Sequence, residues 1–386
     1  MSNGLGGGLL GLGLAFLVAV ALVPLGIRLA WRLGVVDHPV GNKIHARPTP
    51  LMGGAAMAVS FLVVTLLFPR HWPNQALVGL LAGCALATLL GLADELWSLS
   101  AWKHFLGQVG VVLVAIIIGF PVIQKVSNPL STTVSLHRSG SISLATLLGF
   151  GHAPGEVANA VTLVAGILFT VFWIVGMMNT VNFLDGLDGL AGGVAAITAL
   201  FLGLWAWHMA GSGYVTRDEQ NVILPLILCG ALLGFLVYNW APARVFMGDS
   251  GAMFIGFALG ALSIFGPVKL GTALLLLIVP IVDVAWAIVR RLLGRRSFAS
   301  GDKHHIYHRM LELGMSRRSV VLAFYALCIA LGVLDLLLVK KQKLAADAIV
   351  AVLAAAGAVA LEVRGRRAEA RTRRPRADYQ VPTPKR

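Results

Sequence analysis

Four polar residues spaced three apart lie between two long apolar segments. Of all the patterns in this chain, this one most clearly indicates a binding or catalytic site. The four residues are Asn179, Asn182, Asp185 and Asp188, within the sequence NTVNFLDGLDGLAGG. Side chains three apart share one face wherever the backbone is helical, and each Asp-Gly pair permits a tight turn beside an anionic ligand. A carboxylate inside hydrocarbon costs about 2.5–3.5 kcal/mol on insertion scales. This density of Asn, Asp and Gly therefore predicts a hydrated functional site at a membrane boundary.

Two earlier polar segments also follow apolar runs. In the first, DHPVGNKIHARPTPLMGG, the cations Lys43 and His45 serve either to bind phosphate or only to set membrane orientation. In the second, GLADELWSLSAWKHFLGQ, the adjacent acids Asp94 and Glu95 precede Lys103. Adjacent carboxylates beside a lysine suit metal coordination or acceptance of a proton from a phosphate. A solvated helix end would carry the same residues.

A later segment, VFMGDSGAMFIGF, places Asp249 directly before an apolar run. The start of a helix favours phosphate through its free N–H groups and its dipole, and Asp249 could equally serve as a helix cap. Phe246 can stack on a planar base or face lipid.

The last polar segment, RRLLGRRSFASGDKHHIYHRM, combines arginines that clamp phosphoryl oxygens with histidines that act as tunable donors. Its candidate residues are Arg290, Arg291, Arg295, Arg296, Asp302, His304, His305, His308 and Arg309. A zinc site built from the histidines is disfavoured because no cysteine accompanies them. Asp283 precedes Arg290 by seven residues, and we predict that it is a buried partner for a cation of this segment.

These polar segments interrupt a chain of 386 residues, of which 58% are hydrophobic and only 12% charged. Such a composition indicates an all-α polytopic membrane protein, with helices of about 20 residues crossing about 30 Å of hydrocarbon. We predict about eleven spans on this basis. They are residues 5–27, 53–68, 76–93, 105–120, 161–178, 190–209, 222–240, 252–265, 270–289, 320–339 and 344–363.

The basic residues predict the orientation of these spans. The net charge is +14, and most of the 31 Lys and Arg residues lie in alternate loops. Basic loops stay in the cytoplasm, so we predict an outer N-terminus, a cytoplasmic C-terminus and a cytoplasmic position for every polar segment described above. Because the basic residues do not form one surface interleaved with aromatic residues, a nucleic-acid partner is not expected.

The remaining segments add little chemistry. Residues 121–160 form the only long loop on the predicted outer side, and their β-type runs favour a small β-hairpin. Residues 1–363 are predicted to form a single membrane-embedded domain. Residues 364–386 are predicted to form a disordered basic tail. This tail either contacts anionic lipid headgroups or is simply solvated. The three cysteines match no metal or disulfide spacing and are expected to be packing residues.

The residues alone thus predict a membrane enzyme that handles a phosphorylated substrate at the inner surface. These inner segments supply carboxylates, amides and cations around one opening. Hard oxygen ligands in small number suit Mg²⁺ that arrives with a substrate diphosphate, and cations neutralise the charge that develops during phosphoryl transfer.

Together these segments resemble the polyprenyl-phosphate N-acetylhexosamine-1-phosphate transferases, which form glycosyltransferase family 4. The resemblance covers nearly the whole chain up to about Met310. Its most specific motif, N-x-x-N-x-x-D-G-x-D-G-L-A, is matched throughout from Asn179 to Ala191. The family motifs D-x-P…K-x-H…P-x-x-G-G and M-G-D-x-G resemble residues 37–54 and 247–251, and its paired acid and its final Arg/His loop also have counterparts here.

The resemblance implies a reaction and a metal. The phosphate of a polyprenyl (undecaprenyl) phosphate attacks the β-phosphorus of a UDP-amino sugar, and UMP is released. By that likeness Asn182 and Asp249 ligate Mg²⁺, for which Mn²⁺ is an alternative. The residues implied to hold the uracil are Asp188, Gly189, Leu190 and Phe246.

The resemblance also implies roles for the other motif residues. Asp94 acts on the lipid phosphate, either as proton acceptor or as nucleophile in a two-step reaction, while Lys103 neutralises the diphosphate. The loop of His305 and His308 contacts sugar and phosphates, and Asp185 has a supporting role. The further residues expected to bind substrate are Lys43, His45, Arg295, Arg296, Asp302 and His304.

Two departures from the family pattern affect these expectations. The usual Asp-Asp pair is Asp94-Glu95 here, which leaves the role of Glu95 undefined, and Tyr307 replaces the middle histidine of the usual H-x-H-H, which can alter sugar specificity. The extra final helix, the basic tail and the spaced histidines favour the branch that uses UDP-GlcNAc over phospho-MurNAc-pentapeptide transfer. The resemblance implies a bacterial plasma-membrane location, and a homodimer is a further expectation. A transporter and a catalytically inactive scaffold are the alternatives outside enzymes.

Overall fold

The computed structural model describes residues 2–39, 47–68, 74–123, 125–127, 141–148, 155–211, 219–265, 269–293, 305–338, 342, 345–346, 348–357 and 359–360. Within this part of the chain, almost all regular structure is helical, so the predicted all-α polytopic class is confirmed. The helices are α1 (Ser2–Leu33), α2 (Gly53–Leu66), α3 (Gln75–Trp97), α4 (Ala101–Ile118), α5 (Leu144–Leu147), α6 (Gly155–Leu184), α7 (Leu190–Gly211), α8 (Gln220–Asn239), α9 (Gly248–Ile264), α10 (Lys269–Leu276), α11 (Ile278–Leu293), α12 (Ile306–Glu312) and α13 (Arg317–Leu337).

Seven of these helices are long and apolar enough to cross a membrane: α1, α3, α4, α6, α7, α8 and α13. The pair α10 and α11 would add an eighth span, although the two helices meet at an angle of 73°. Three further apolar helices, α2, α9 and Ala348–Gly357, are shorter than the others. Every predicted apolar run therefore contains helix in the described residues, whereas the count of eleven full spans stays a prediction.

Helix α9 forms the centre of the bundle. All its residues from Ser250 to Ser263 are buried, as expected for a helix that is apolar on every side. It packs chiefly against α3 and α6. A Cβ atom added at Gly91 of α3 would lie 2.3 Å from the carbonyl oxygen of Asp249. Glycine at this position therefore allows α3 to contact the first turn of α9 directly.

Two short antiparallel hairpins complete the fold. Strands β3 (Lys125–Ser127) and β4 (Ser141–Ser143) pair as the hairpin predicted within residues 121–160. Strands β1 (Val36–Asp37) and β2 (Thr49–Pro50) form a second, unpredicted pair. The backbone N–H of Phe246 donates to the carbonyl of Pro50 at 2.8 Å. This pair thereby connects the segment after α1 to the segment before α9.

The structure differs from the sequence prediction at two helix boundaries. Helix α6 does not end near Met178 but continues to Leu184. The predicted span 270–289 is broken at Leu277 into α10 and α11. The predicted tail 364–386 lies outside the described residues.

Candidate active site

Separate segments of the chain meet at one end of the bundle, around the start of α9. The side-chain N–H of Asn182, at the end of α6, donates to Asp249 Oδ1 at 2.7 Å. Glu95, at the end of α3, accepts from the backbone N–H of Ser250 at 2.9 Å. The N–H of Gly54, at the start of α2, donates to the carbonyl of Met247 at 3.1 Å. Three predicted motif segments thus converge on the first turn of α9.

The two asparagines of the central motif lie on the last turns of α6. Because the backbone is helical there, Asn179 and Asn182 share a face. The side-chain N–H₂ of Asn179 donates to Gln108 Oε1 of α4 and to the carbonyl of Val175, both at 2.8 Å. The extension of α6 to Leu184 therefore directs one asparagine to α4 and the other to Asp249.

The turn after α6 is fixed by the segments around it. The carboxylate of Asp188 accepts from the backbone N–H of Ala243 at 3.0 Å. Gly189 has φ +80°, a conformation that favours glycine. Its N–H donates to Asn239 Oδ1 at 2.9 Å, and its carbonyl accepts from the hydroxyl of Tyr325 at 2.5 Å. The side chain of Leu190 is fully buried, so only backbone atoms at this position could meet a ligand.

Asp185 lies at the start of the same turn, in a strongly negative environment. Burial, and then the nearby carboxylates of Asp249 and Asp188, raise the pKa of Asp185 to about 7. Each of these causes disfavours the charged form of the acid.

We expect the Asp185→Asn variant to lose part of the pH dependence of stability. An unfolded Asp has a pKa of about 4, whereas the folded protein holds the proton of Asp185 up to a pH of about 7. The folded state therefore binds more protons between these values, and its stability must fall as the pH rises through them. The melting temperature of the purified wild-type protein should decrease more from pH 5 to pH 7.5 than that of Asp185→Asn. Parallel curves would contradict the raised pKa.

Asp94 is held at the end of α3 by two hydrogen bonds. Its Oδ1 accepts from the backbone N–H of Leu99 at 2.6 Å, and its Oδ2 lies 2.7 Å from Nδ1 of His104. Ser98 has a left-handed conformation, with φ +47°, and it ends α3 so that the chain can return into α4. Asp94 also interacts electrostatically with Asp249. The first acid of the pair is therefore directed toward the start of α9.

Glu95 has a different arrangement from Asp94. Its Oε1 accepts the N–H of Ser250, one of the free donors at the start of α9. Its Oε2 is buried and has no hydrogen-bond partner among the described residues. A Cβ atom at Gly248 would lie 2.2 Å from Glu95 Oε1, so glycine at position 248 leaves room for the carboxylate. Glu95 thus acts as a helix cap that is supplied by another helix.

Substitution of Glu95 should separate this capping role from a role of its charge. Glutamine keeps the Oε1 acceptor, so we expect Glu95→Gln to melt close to the wild-type temperature. Glu95→Ala removes the cap and should lower the free energy of unfolding by about 1 kcal/mol. Thermal unfolding of both variants tests this, with Glu156→Gln on the surface as the control. If Glu95→Gln is as unstable as Glu95→Ala, the capping assignment is wrong.

The predicted histidine segment meets the same end of the bundle. Nδ1 of His305 lies 2.8 Å from Asp283 Oδ2, and the N–H of Ile306 donates to Asp283 Oδ1 at 3.0 Å. Asp283 is buried, as predicted, and its partner in this segment is the imidazole of His305. The ring of His305 stacks on Phe183 at a centroid distance of 5.5 Å. His305 is thereby placed beside the end of α6.

Tyr307, which replaces a histidine of the family pattern, lies against the central motif. Its ring is nearly parallel to that of His305, at 5.8 Å, and it is 4.4 Å from the ring of His308. A Cβ atom at Gly186 would lie 2.0 Å from the Tyr307 hydroxyl. The first Asp-Gly turn therefore depends on glycine to accommodate this tyrosine.

For two further predicted residues, the structure gives a position in the chain and a degree of exposure. Lys103 is exposed on the first turn of α4, and Phe246 is half-buried in the segment before α9. Six predicted residues lie outside the described part of the chain: Lys43, His45, Arg295, Arg296, Asp302 and His304.

Sequence reasoning missed three residues that organise the site: His104, Asn239 and Tyr325. The spacing of His104 from Gln108, one helical turn, was the available signal for the first. The other two are single polar side chains near the ends of apolar helices, and they carry no comparable signal.

The donors around Asp249 fit a magnesium ion. Asp249 and Asn182 offer the carboxylate and carboxamide oxygens that Mg²⁺ prefers. The acids Asp94 and Asp185 both interact with Asp249, so three acidic side chains lie close together here. Among the described residues, no group of three or more His, Cys, Asp and Glu forms a complete metal cage. Mg²⁺ often binds through one or two carboxylates together with substrate phosphates. Both the Mg²⁺ site and the Mn²⁺ alternative stay predictions.

The chain is similar to known proteins over the segments that form the site. A family model described as glycosyl transferase family 4 matches residues 77–267, which include the paired acids, the central motif and Asp249. The chain is 31% identical to the decaprenyl-phosphate N-acetylglucosaminephosphotransferase of Mycobacterium tuberculosis over 343 residues, which are 82% of this chain and 78% of the relative.

Two other relatives represent both branches of these enzymes. The chain is 29% identical to a probable undecaprenyl-phosphate N-acetylglucosaminyl 1-phosphate transferase of Bacillus subtilis, over 81% of this chain and 79% of the relative. It is also 30% identical to a phospho-N-acetylmuramoyl-pentapeptide-transferase of a Geobacillus species, over 84% of this chain and 95% of the relative.

Proposed function

Because the chain belongs to glycosyl transferase family 4, the polyprenyl-phosphate N-acetylhexosamine-1-phosphate transferases, we propose that it transfers GlcNAc-1-phosphate from UDP-GlcNAc to undecaprenyl phosphate and releases UMP. The observation that carries this proposal is the hydrogen bond between Asn182 and Asp249, beside Asp94, at one end of an apolar helical bundle. This arrangement offers oxygen ligands and carboxylates where a lipid phosphate and a nucleotide diphosphate can meet.

The proposed reaction is a phosphoryl transfer that needs no other co-reactant. An oxygen of the lipid phosphate forms a bond to the β-phosphorus of the UDP-sugar. The bond between that phosphorus and the oxygen bridging to the α-phosphate breaks, and this oxygen leaves with UMP. A proton on the attacking phosphate is transferred to a base, and Asp94 is the group we assign to this task.

Other residues have the remaining roles in metal and substrate binding. Asp249 and Asn182 would hold Mg²⁺, which when bound neutralises the charge of the diphosphate. The turn of Asp188 and Gly189 faces the uridine. His305 and His308 contact the phosphates and the sugar, and Asp283 holds Nδ1 of His305. Lys103 neutralises charge on the diphosphate.

We assign this site to the cytoplasmic side of a bacterial plasma membrane. The Lys and Arg residues concentrate in alternate loops, and basic loops stay inside. The UDP-sugar donor is a water-soluble nucleotide, and an inward-facing site gives it access from the cytoplasm. Product attached to undecaprenyl would remain in the inner leaflet as the first intermediate of an envelope glycan.

A panel of nucleotide sugars tests the proposal. Membranes containing the chain are incubated with undecaprenyl phosphate, Mg²⁺ and one donor at a time: UDP-GlcNAc, UDP-GalNAc or UDP-MurNAc-pentapeptide. We expect UMP release with UDP-GlcNAc, and none when the lipid phosphate is omitted. Release only with UDP-MurNAc-pentapeptide would establish the alternative, to which the Geobacillus relative points. No release with any donor would contradict the proposed function and favour a transporter or a scaffold.

A further inference from the structure

His104 lies between the paired acids and the central helix of the bundle. Its Nδ1 is 2.7 Å from Asp94 Oδ2, and its Nε2 is 3.3 Å from the sulfur of Met253 in α9. The side chains of His104 and Asp94 are each only 16% exposed. Since a carboxylate can only accept a hydrogen bond, Nδ1 of His104 is the donor to Asp94.

This contact determines the orientation of the Asp94 carboxylate. The N–H of Leu99 fixes Oδ1 alone, and one hydrogen bond leaves the carboxylate free to rotate about its last torsion angle. The bond from His104 fixes the second oxygen. With both oxygens held, the carboxylate of Asp94 is fixed in one orientation near Asp249, with which it interacts electrostatically.

The ring of His104 is itself held by buried neighbours. Gln108, one turn further along α4, donates from Nε2 to the same Met253 sulfur at 3.2 Å, and its Oε1 accepts from Asn179. Gln108 is almost completely buried. A continuous polar path therefore runs from Asp94 through His104, Met253 and Gln108 to the first asparagine of the central motif.

The same contacts align two acids from different helices. Met253 lies one turn after Asp249, so the two side chains share a face of α9. His104 touches that face through Met253 and touches Asp94 directly. Lys103, its neighbour in sequence, is exposed, so the imidazole rather than the lysine ammonium faces Asp94.

We propose that His104 is a positioning residue that holds Asp94 in the orientation in which it acts on the acceptor phosphate. The inference rests on the proposed function. In the transfer step His104 touches no substrate. Its part is to keep the second oxygen of Asp94 hydrogen-bonded while the carboxylate accepts the proton.

Three substitutions test this role in the full-length protein. His104→Phe keeps the ring volume but removes the donor, and we expect kcat for UMP release to fall about 10²-fold, the effect of a misplacement of about 1 Å. Asparagine places its N–H₂ at the position of Nδ1, so His104→Asn should recover about tenfold of that loss. The matched control is His208→Phe, at an exposed histidine in the last turn of α7. The KM for UDP-GlcNAc should stay unchanged in all three, because Asp94 acts on the other substrate.

The outcomes separate this inference from the proposed function. If the wild-type protein releases no UMP, the proposed function fails. If the wild type is active and His104→Phe is as active as His208→Phe, the positioning role is refuted. Equal losses in His104→Phe and His104→Asn, with lowered melting temperatures in both, would show a packing role and would also refute it. Selective recovery of kcat by His104→Asn, at an unchanged melting temperature, supports it.

Discussion

Replacing Asp249 with asparagine is expected to lower UMP release by at least about 10³-fold, since the loss of the proposed metal-binding carboxylate would remove several kcal/mol of charge stabilisation. Asp249 is central to the site because it receives the hydrogen bond from Asn182 and interacts with both Asp94 and Asp185. Asparagine has the same size, so the packing of α9 should be preserved. The substitution therefore removes charge without removing the fold.

Membranes containing Asp249→Asn and the wild type would be compared for UMP release over a range of Mg²⁺ concentrations. Glu156→Gln, at an exposed acid in the first turn of α6, is the matched control for the loss of one negative charge. We expect the control to resemble the wild type. Turnover of Asp249→Asn close to that of the wild type would exclude Asp249 as a metal ligand.

The helices were predictable from the sequence because hydrocarbon selects long apolar runs. The break at Leu277 was not predictable from apolarity, because the run LLLLIVPIV is apolar throughout. Its cause is Pro280 at the third position of α11, which lacks the N–H that would bond to the carbonyl of Leu276. A composition window averages over one proline, whereas the ring of Pro280 and its missing N–H favour a bend of the backbone at this position.

The extension of α6 illustrates a second limit. The prediction placed the membrane boundary at Asn179, where polarity begins, and left open whether the helix continues into the polar motif. Nothing between Met178 and Leu184 interrupts a helix, and the first Asp-Gly pair ends it. The onset of polar residues therefore marks the end of the apolar run, whereas the first Asp-Gly pair marks the end of the helix.

The site was predictable as a set of motifs but not as a set of contacts. Residue types and spacing identified Asn182, Asp249 and Asp94 as chemistry-bearing groups. The partners of these groups come from distant segments: Glu95 and Ser250 are 155 positions apart, and His104 and Met253 are 149 apart. Such pairs carry no local signal, since their proximity follows from how α3, α4 and α9 pack.

Replacing Asp94 with asparagine is expected to lower kcat by about 10²–10⁴-fold, the usual contribution of a positioned acid–base group. Asparagine retains an oxygen that can accept from the N–H of Leu99, so the turn after α3 should be preserved. It cannot accept a proton from the lipid phosphate. UMP release by Asp94→Asn, compared with wild type and with Glu156→Gln, measures the loss, and near-normal turnover would remove Asp94 from the reaction.

Asp94 has two candidate roles, and they differ in a single-turnover experiment. If Asp94 only accepts a proton, wild-type protein mixed with UDP-GlcNAc in the absence of lipid phosphate should release far less than one UMP per protein molecule. If Asp94 attacks the β-phosphorus first, the same mixture should release a burst of about one UMP per molecule, because a covalent sugar-phosphate intermediate accumulates. We expect no burst, since the proposed reaction is a direct transfer in which Asp94 only accepts a proton. A stoichiometric burst that disappears in Asp94→Asn would instead establish the two-step reaction.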